Sequence, residues 1–146
     1  MYTVHTIGFT NTTAEHFFDR LLASGSRLVI DVRLHNTSQL AGFAKATDLA
    51  YFLDRIAGIG YAHQSLLAPE EDMLKAFRAP KANWQDNESQ FQRLMAERKI
   101  EEKLKPDYFA DSCLLCSEDK PHHCHRRMIL DYLNDRWGKV LDVTHL

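Results

Sequence analysis

Leu28-Val29-Ile30-Asp31-Val32-Arg33 decides the fold. Residues 28–32 are apolar except for Asp31 and rich in β-branched residues, with none of the polar alternation of a half-solvated strand. A strand of this kind is buried on both faces, as in a parallel sheet covered by helices. On its N-terminal side, Thr12-Thr13-Ala14-Glu15 has capping-box spacing. It opens a helix with Phe17, Phe18, Leu21 and Leu22 as an apolar stripe and Gly25 as its stop. Before that helix, residues 2–7 read as a strand ended by Gly8.

On the C-terminal side, a polar loop over residues 33–46 carries Asn36, Ser38 and Lys45. Thr47 then caps a helix that uses Leu49, Phe52, Leu53 and Ile56. Residues 59–63 form a short third strand, and Pro69 sits in the first turn of a helix through Phe77. Residues 78–86 are irregular, anchored by Trp84. A long charged helix over residues 88–105 turns Phe91, Leu94, Met95 and Leu104 inward. A fourth strand (112–116), a last helix (125–137) and a fifth strand (139–145) complete the chain. Strands alternating with helices imply right-handed crossovers. The expected class is α/β: a single-domain, three-layer, Rossmann-like sandwich over residues 1–146, with a mostly parallel five-stranded sheet and helices on both faces.

The length of 146 residues suits one domain with a substantial core. No apolar run is long enough to span a bilayer, and the first residues lack a signal-peptide layout, so the expected location is the cytoplasm and no membrane partner is expected. Three cysteines in such a chain point to free thiols, metal ligands or a redox pair rather than a disulfide framework. A net charge of −2 does not support nucleic acid as the partner. No organic cofactor is implied.

In open α/β sheets, ligands bind beyond the carboxyl ends of the strands. Asp31, Arg33, Tyr61, His63, Cys116, Glu118 and His145 all fall there. The segment Cys113-Leu-Leu-Cys116-Ser-Glu118-Asp-Lys-Pro-His122-His123-Cys124-His125-Arg126-Arg127 holds every cysteine of the chain and passes from a strand through a polar loop into a helix N-terminus. Helix N-termini favour anions and lower thiol pKa values. Cys113 and Cys116, three apart on a strand, face opposite sides of the sheet. On the helical wheel His125 and Arg126 turn inward toward the pocket. Arg127 turns outward to pair with Asp131, and Cys124 takes the cap position, where its thiol is expected to ionise readily.

Asp31-Val-Arg33 with Cys-Leu-Leu-Cys116-Ser-Glu118 and Cys124-His125-Arg126-Arg127 resembles the bacterial and archaeal family known as domain of unknown function 488. Thr6-Ile7-Gly8-Phe9, the segment Ser38 to Lys45, and Tyr61-Ala-His63 are similar to that family as well. The resemblance covers nearly the whole chain. It implies that Asp31, Arg33, Cys116, Glu118, Cys124, His125 and Arg126 belong to the family's pattern, and it implies no particular reaction.

The leading functional expectation is an enzyme or ligand-binding domain with an anion pocket for a phosphate- or nucleotide-like compound. Cys116, Glu118, His63 and Asp31 are the candidate catalytic residues, with Cys116 as a nucleophile activated by histidine. Arg33, Ser38, Lys45, Tyr61, Cys124, His125 and Arg126 would bind the ligand. The Asp-Val-Arg and cysteine strand ends are also similar to rhodanese-like sulfurtransferases, although the loop from Cys116 to Arg126 is longer than their tight anion loop. One alternative is a zinc-binding protein using Cys116, Cys124 and nearby histidines, a set whose spacing matches no standard finger. The other is a nucleic-acid-binding or repair-associated module using Lys45, Trp84 and Arg126.

Overall fold

The computed structural model describes residues 1–36, 42–117 and 124–146. Its sheet follows from the apolar runs: β1 (Tyr2–Gly8), β2 (Leu28–Asp31), β3 (Gly60–His63), β4 (Ser112–Cys116) and β5 (Leu141–His145). They pair in the order β3-β2-β4-β1-β5, and every pair is parallel. The α/β expectation holds. Central β4 is buried at all five positions, its one polar residue, Ser112, donating its hydroxyl to the Phe109 carbonyl.

Alternate residues of the strands feed two cores. Ile30, Val32, Leu114 and Cys116 join one with α4 (Trp84–Arg98), α5 (Ile100–Lys103) and α6 (His125–Trp137). Val29, Cys113 and Leu115 join the other with α1 (Ala14–Ser24) and α2 (Ala46–Phe52). Three layers result, and Cys113 and Cys116 lie on opposite faces as their spacing requires. Among the described residues, no helix is long and apolar enough to cross a membrane.

Several boundaries differ from the sequence reading. Thr13, not Thr12, caps α1, its hydroxyl accepting from the His16 N–H at 3.1 Å. Lys45 rather than Thr47 holds the N-cap of α2, without a side-chain cap bond. That helix continues into a π turn over Leu53–Ala57, and Ile56 is left 51% exposed instead of inward. Leu22 is likewise exposed. Pro69 precedes α3 (Glu71–Arg78), whose N-cap is Glu70. The long charged helix starts earlier, because the Asn83 side chain caps Trp84–Arg98 by accepting from the Asp86 N–H. It breaks at Lys99, which takes a left-handed φ of 54° and separates α4 from α5. The fifth strand starts at Leu141, because Gly138 and Lys139 both adopt positive φ.

Candidate functional site

The parallel register brings the strand ends to one rim. Gly8 of β1 lies opposite Cys116 of β4, and Asp31 of β2 lies opposite His63 of β3. At the end of β2, Asp31 and Arg33 form a buried bidentate ion pair. Arg33 Nε donates to Asp31 Oδ1 at 2.9 Å and Nη2 donates to Oδ2 at 2.8 Å. Nη2 also donates to the Ala44 carbonyl at 2.7 Å, and the guanidinium sits over the Phe9 ring. Tyr61 donates its hydroxyl to Asp31 Oδ2 at 2.5 Å and accepts from the Asn36 amide. Burial, then the hydrogen bond to Asp31, pushes the Tyr61 pKa up to about 12. His63 Nε2 donates to the Arg33 carbonyl at 2.8 Å. Asp31, Tyr61 and His63 therefore act together to fix Arg33.

A second cluster adjoins the first. Cys116 at the end of β4 and Cys124 at the N-cap of α6 are both buried, and Cys116 Sγ lies 3.4 Å from His125 Nδ1. The other ring nitrogen, Nε2, donates to the Val32 carbonyl at 2.8 Å. That bond fixes the ring so that Nδ1 faces sulfur. The two sulfurs and the imidazole nitrogen lie within 4.8 Å of one another. They can supply three ligands of a tetrahedral metal set, and among the described residues no fourth joins them.

The electrostatics single out one thiol. Burial opposes ionisation of Cys116, but the Cys124 hydrogen bond and the His125 charge outweigh it and hold its pKa well below the ordinary thiol value. Burial, then the hydrogen bond to Cys116 and the charge there, pushes Cys124 well up. His125 is raised: burial lowers it, but the Cys116 charge and hydrogen bond outweigh that. The arrangement favours a thiolate on Cys116 beside a protonated His125 and opposes ionisation of Cys124. This corrects the expectation for Cys124. Burial and the hydrogen bond to Cys116 outweigh the opposing pull of the Arg126 backbone N–H at the helix terminus. Burial also raises the Cys113 pKa and leaves it a core residue.

Above the cluster is a cavity of about 60 Å³, room for a few water-sized groups. Cys116, Cys124, His125, Arg33, His35 and Arg78 contribute to its wall. Sequence reading missed His35 and Arg78, because only the placement of α3 brings Arg78 here. His35 Nε2 lies 2.7 Å from Glu71 Oε2 of α3 in an exposed hydrogen bond.

The remaining candidates lie apart. Arg126 is fully buried and outside the cavity wall, with Nε donating to Thr6 Oγ1 at 3.2 Å. Thr6 Oγ1 in turn contacts His145 Nδ1 at 2.6 Å. Arg127 forms the anticipated pair with Asp131 at 2.7 Å. Lys45 is in the α2 cap. Ser38, Glu118, His122 and His123 lie outside the described residues. Lys45, Trp84 and Arg126 form no common basic surface, since Arg126 is wholly enclosed and Trp84 packs on Phe77.

Searches of curated proteins and of solved structures find no match. A family model described as domain of unknown function DUF488 matches residues 13–133, which include the Asp31–Arg33 pair and the whole thiol–imidazole cluster. The chain belongs to that family.

Proposed function

We propose that this protein is a cysteine-dependent enzyme acting on a small electrophile that carries or releases negative charge, with Cys116 as its nucleophile. The observation that carries this reading is the 3.4 Å contact between Cys116 Sγ and His125 Nδ1, with the ring fixed by the Val32 carbonyl. A thiolate is the reactive form of cysteine, and an adjacent imidazolium sustains it at neutral pH. The electrophile would enter the cavity, where Arg33 and Arg78 face an incoming or departing anion. Asp31, Tyr61 and His63 position Arg33.

The test is alkylation of the reduced protein, mapped by mass spectrometry. Cys116 is expected to react first at neutral pH, faster with iodoacetate relative to iodoacetamide than a free thiol does. Arg78→Ala is expected to reduce that preference. Uniformly slow modification of all three cysteines would refute the reading, as would stoichiometric zinc in the purified protein that shields Cys116.

A further inference from the structure

We propose that Cys116 and Cys124 form a peroxide-reducing dithiol, in which Cys116 attacks a small hydroperoxide and Cys124 resolves the product as an intramolecular disulfide. The inference rests on the reading of Cys116 as nucleophile and adds the substrate class and a role for the second thiol.

Three features of the geometry lead to it. The sulfurs belong to different elements, the end of β4 and the N-cap of α6, yet they lie within 4.8 Å of one another and of the same imidazole. Both stand in the wall of one cavity, so an intermediate formed on Cys116 projects into space that Cys124 also borders. The cavity volume of about 60 Å³ admits hydrogen peroxide and excludes a bulky peptide disulfide. A nucleophile that only transferred a group to water would not need a second buried thiol at this position.

The chemistry balances with hydrogen peroxide as oxidant. The Cys116 thiolate attacks one peroxide oxygen; an S–O bond forms, the O–O bond breaks, and the departing hydroxide takes the His125 Nδ1 proton to leave as water. Cys116 is then a sulfenic acid. Neutral His125 accepts the Cys124 thiol proton, and the Cys124 sulfur attacks Cys116 Sγ. The S–S bond forms as the sulfenic oxygen leaves, taking the proton back from His125 as a second water. Two sulfurs are oxidised and one peroxide becomes two waters. A small dithiol would return the pair to the reduced state by exchange.

The experiment treats the reduced, full-length protein with one equivalent of hydrogen peroxide and reads intact mass and the cysteine-containing peptides. The expected result is the loss of two hydrogen masses, a Cys116–Cys124 cross-link, and Cys113 untouched. Cys124→Ser is expected to lose the cross-link and accumulate a sulfenic acid on Cys116 that dimedone traps. Should that variant not fold, peptide mapping of the unaltered protein and its consumption of peroxide with dithiothreitol present still decide the matter. Oxidation of the unaltered protein that stops at sulfenic or sulfinic acid on Cys116, with Cys124 free, overturns the inference and leaves Cys116 as nucleophile. Resistance of Cys116 to both peroxide and iodoacetamide overturns both readings.

Discussion

Replacing Asp31 by Ala is the sharpest perturbation of the rim. Asp31 is fully buried and accepts from four donors: Arg33 Nε at 2.9 Å, Arg33 Nη2 at 2.8 Å, the Arg33 backbone N–H at 3.1 Å and the Tyr61 hydroxyl at 2.5 Å. Its loss leaves Arg33, only 3% exposed, as a buried cation with the Ala44 carbonyl and the Phe9 ring as its remaining described partners. Breaking a buried pair by removing one member costs about 3–5 kcal/mol, most of it the uncompensated charge. At about 2–4 °C per kcal/mol for a chain near this size, Tm is expected to fall by roughly 6–20 °C. Urea denaturation measures the free energy and calorimetry the Tm. The double variant Asp31→Leu/Arg33→Met removes both charges and is expected to be more stable than Asp31→Ala alone. A loss below about 1 kcal/mol for Asp31→Ala, or a double variant worse than the single one, would show that the pair is not the electrostatic unit described.

Other consequences are equally open to measurement. His125→Gln removes the cation beside Cys116, so the pH profile of Cys116 alkylation should move upward and the rate at neutral pH should fall; an unchanged profile would place the source of thiolate stability elsewhere. Tyr61, raised to about 12, contributes stability that is fully present below its unfolded value near 10 and is lost as pH rises through about 12. The difference between the ultraviolet titrations of the unaltered protein and Tyr61→Phe should therefore show a tyrosinate appearing near pH 12, and one appearing near pH 10 would contradict the Asp31 bond. Arg127→Ala breaks only partly exposed pairs to Asp131 and Glu88, and urea denaturation should register less than about 1 kcal/mol.

The parallel sheet was legible because β2 and β4 are largely apolar and the five strands alternate with helix-patterned segments, and β4 matched its expected bounds. The α4–α5 break was not, because the left-handed residue there is Lys99 rather than a glycine, and nothing local marks it. The helix start at Trp84 had its signal in Asn83, whose cap went unread beside the irregular stretch that precedes it. At the site, residue types and strand ends indicated Cys116, His125, Asp31 and Arg33, but not that Asp31 and Arg33 pair with each other. Which thiol is favoured as a thiolate depends first on the Cys124 hydrogen bond and then on His125, whose ring is fixed by the Val32 carbonyl just past β2. Arg78 escaped notice because its place at the cavity is a property of helix packing, with no motif around it.

The strand order also governs when the site comes into being. β1 and β2 never bond to each other; β4 lies between them and bonds to both, with Ser112 opposite Val4 on one side and Leu28 on the other. As a ribosome releases the chain, the two early strands wait with unpaired edges until the last third emerges. Closing loops of this length makes long-range parallel pairing slow. The delayed strand is also the one that ends in Cys116, and the helix after it brings Cys124 and His125. A nascent or truncated chain therefore has no activated thiol, and reactivity at Cys116 is expected to appear during refolding together with protection of the β4 amides in pulsed hydrogen exchange. Thiol reactivity that preceded sheet closure would contradict this order. The molecule is thus spared a reactive sulfur during the interval when its sheet is open.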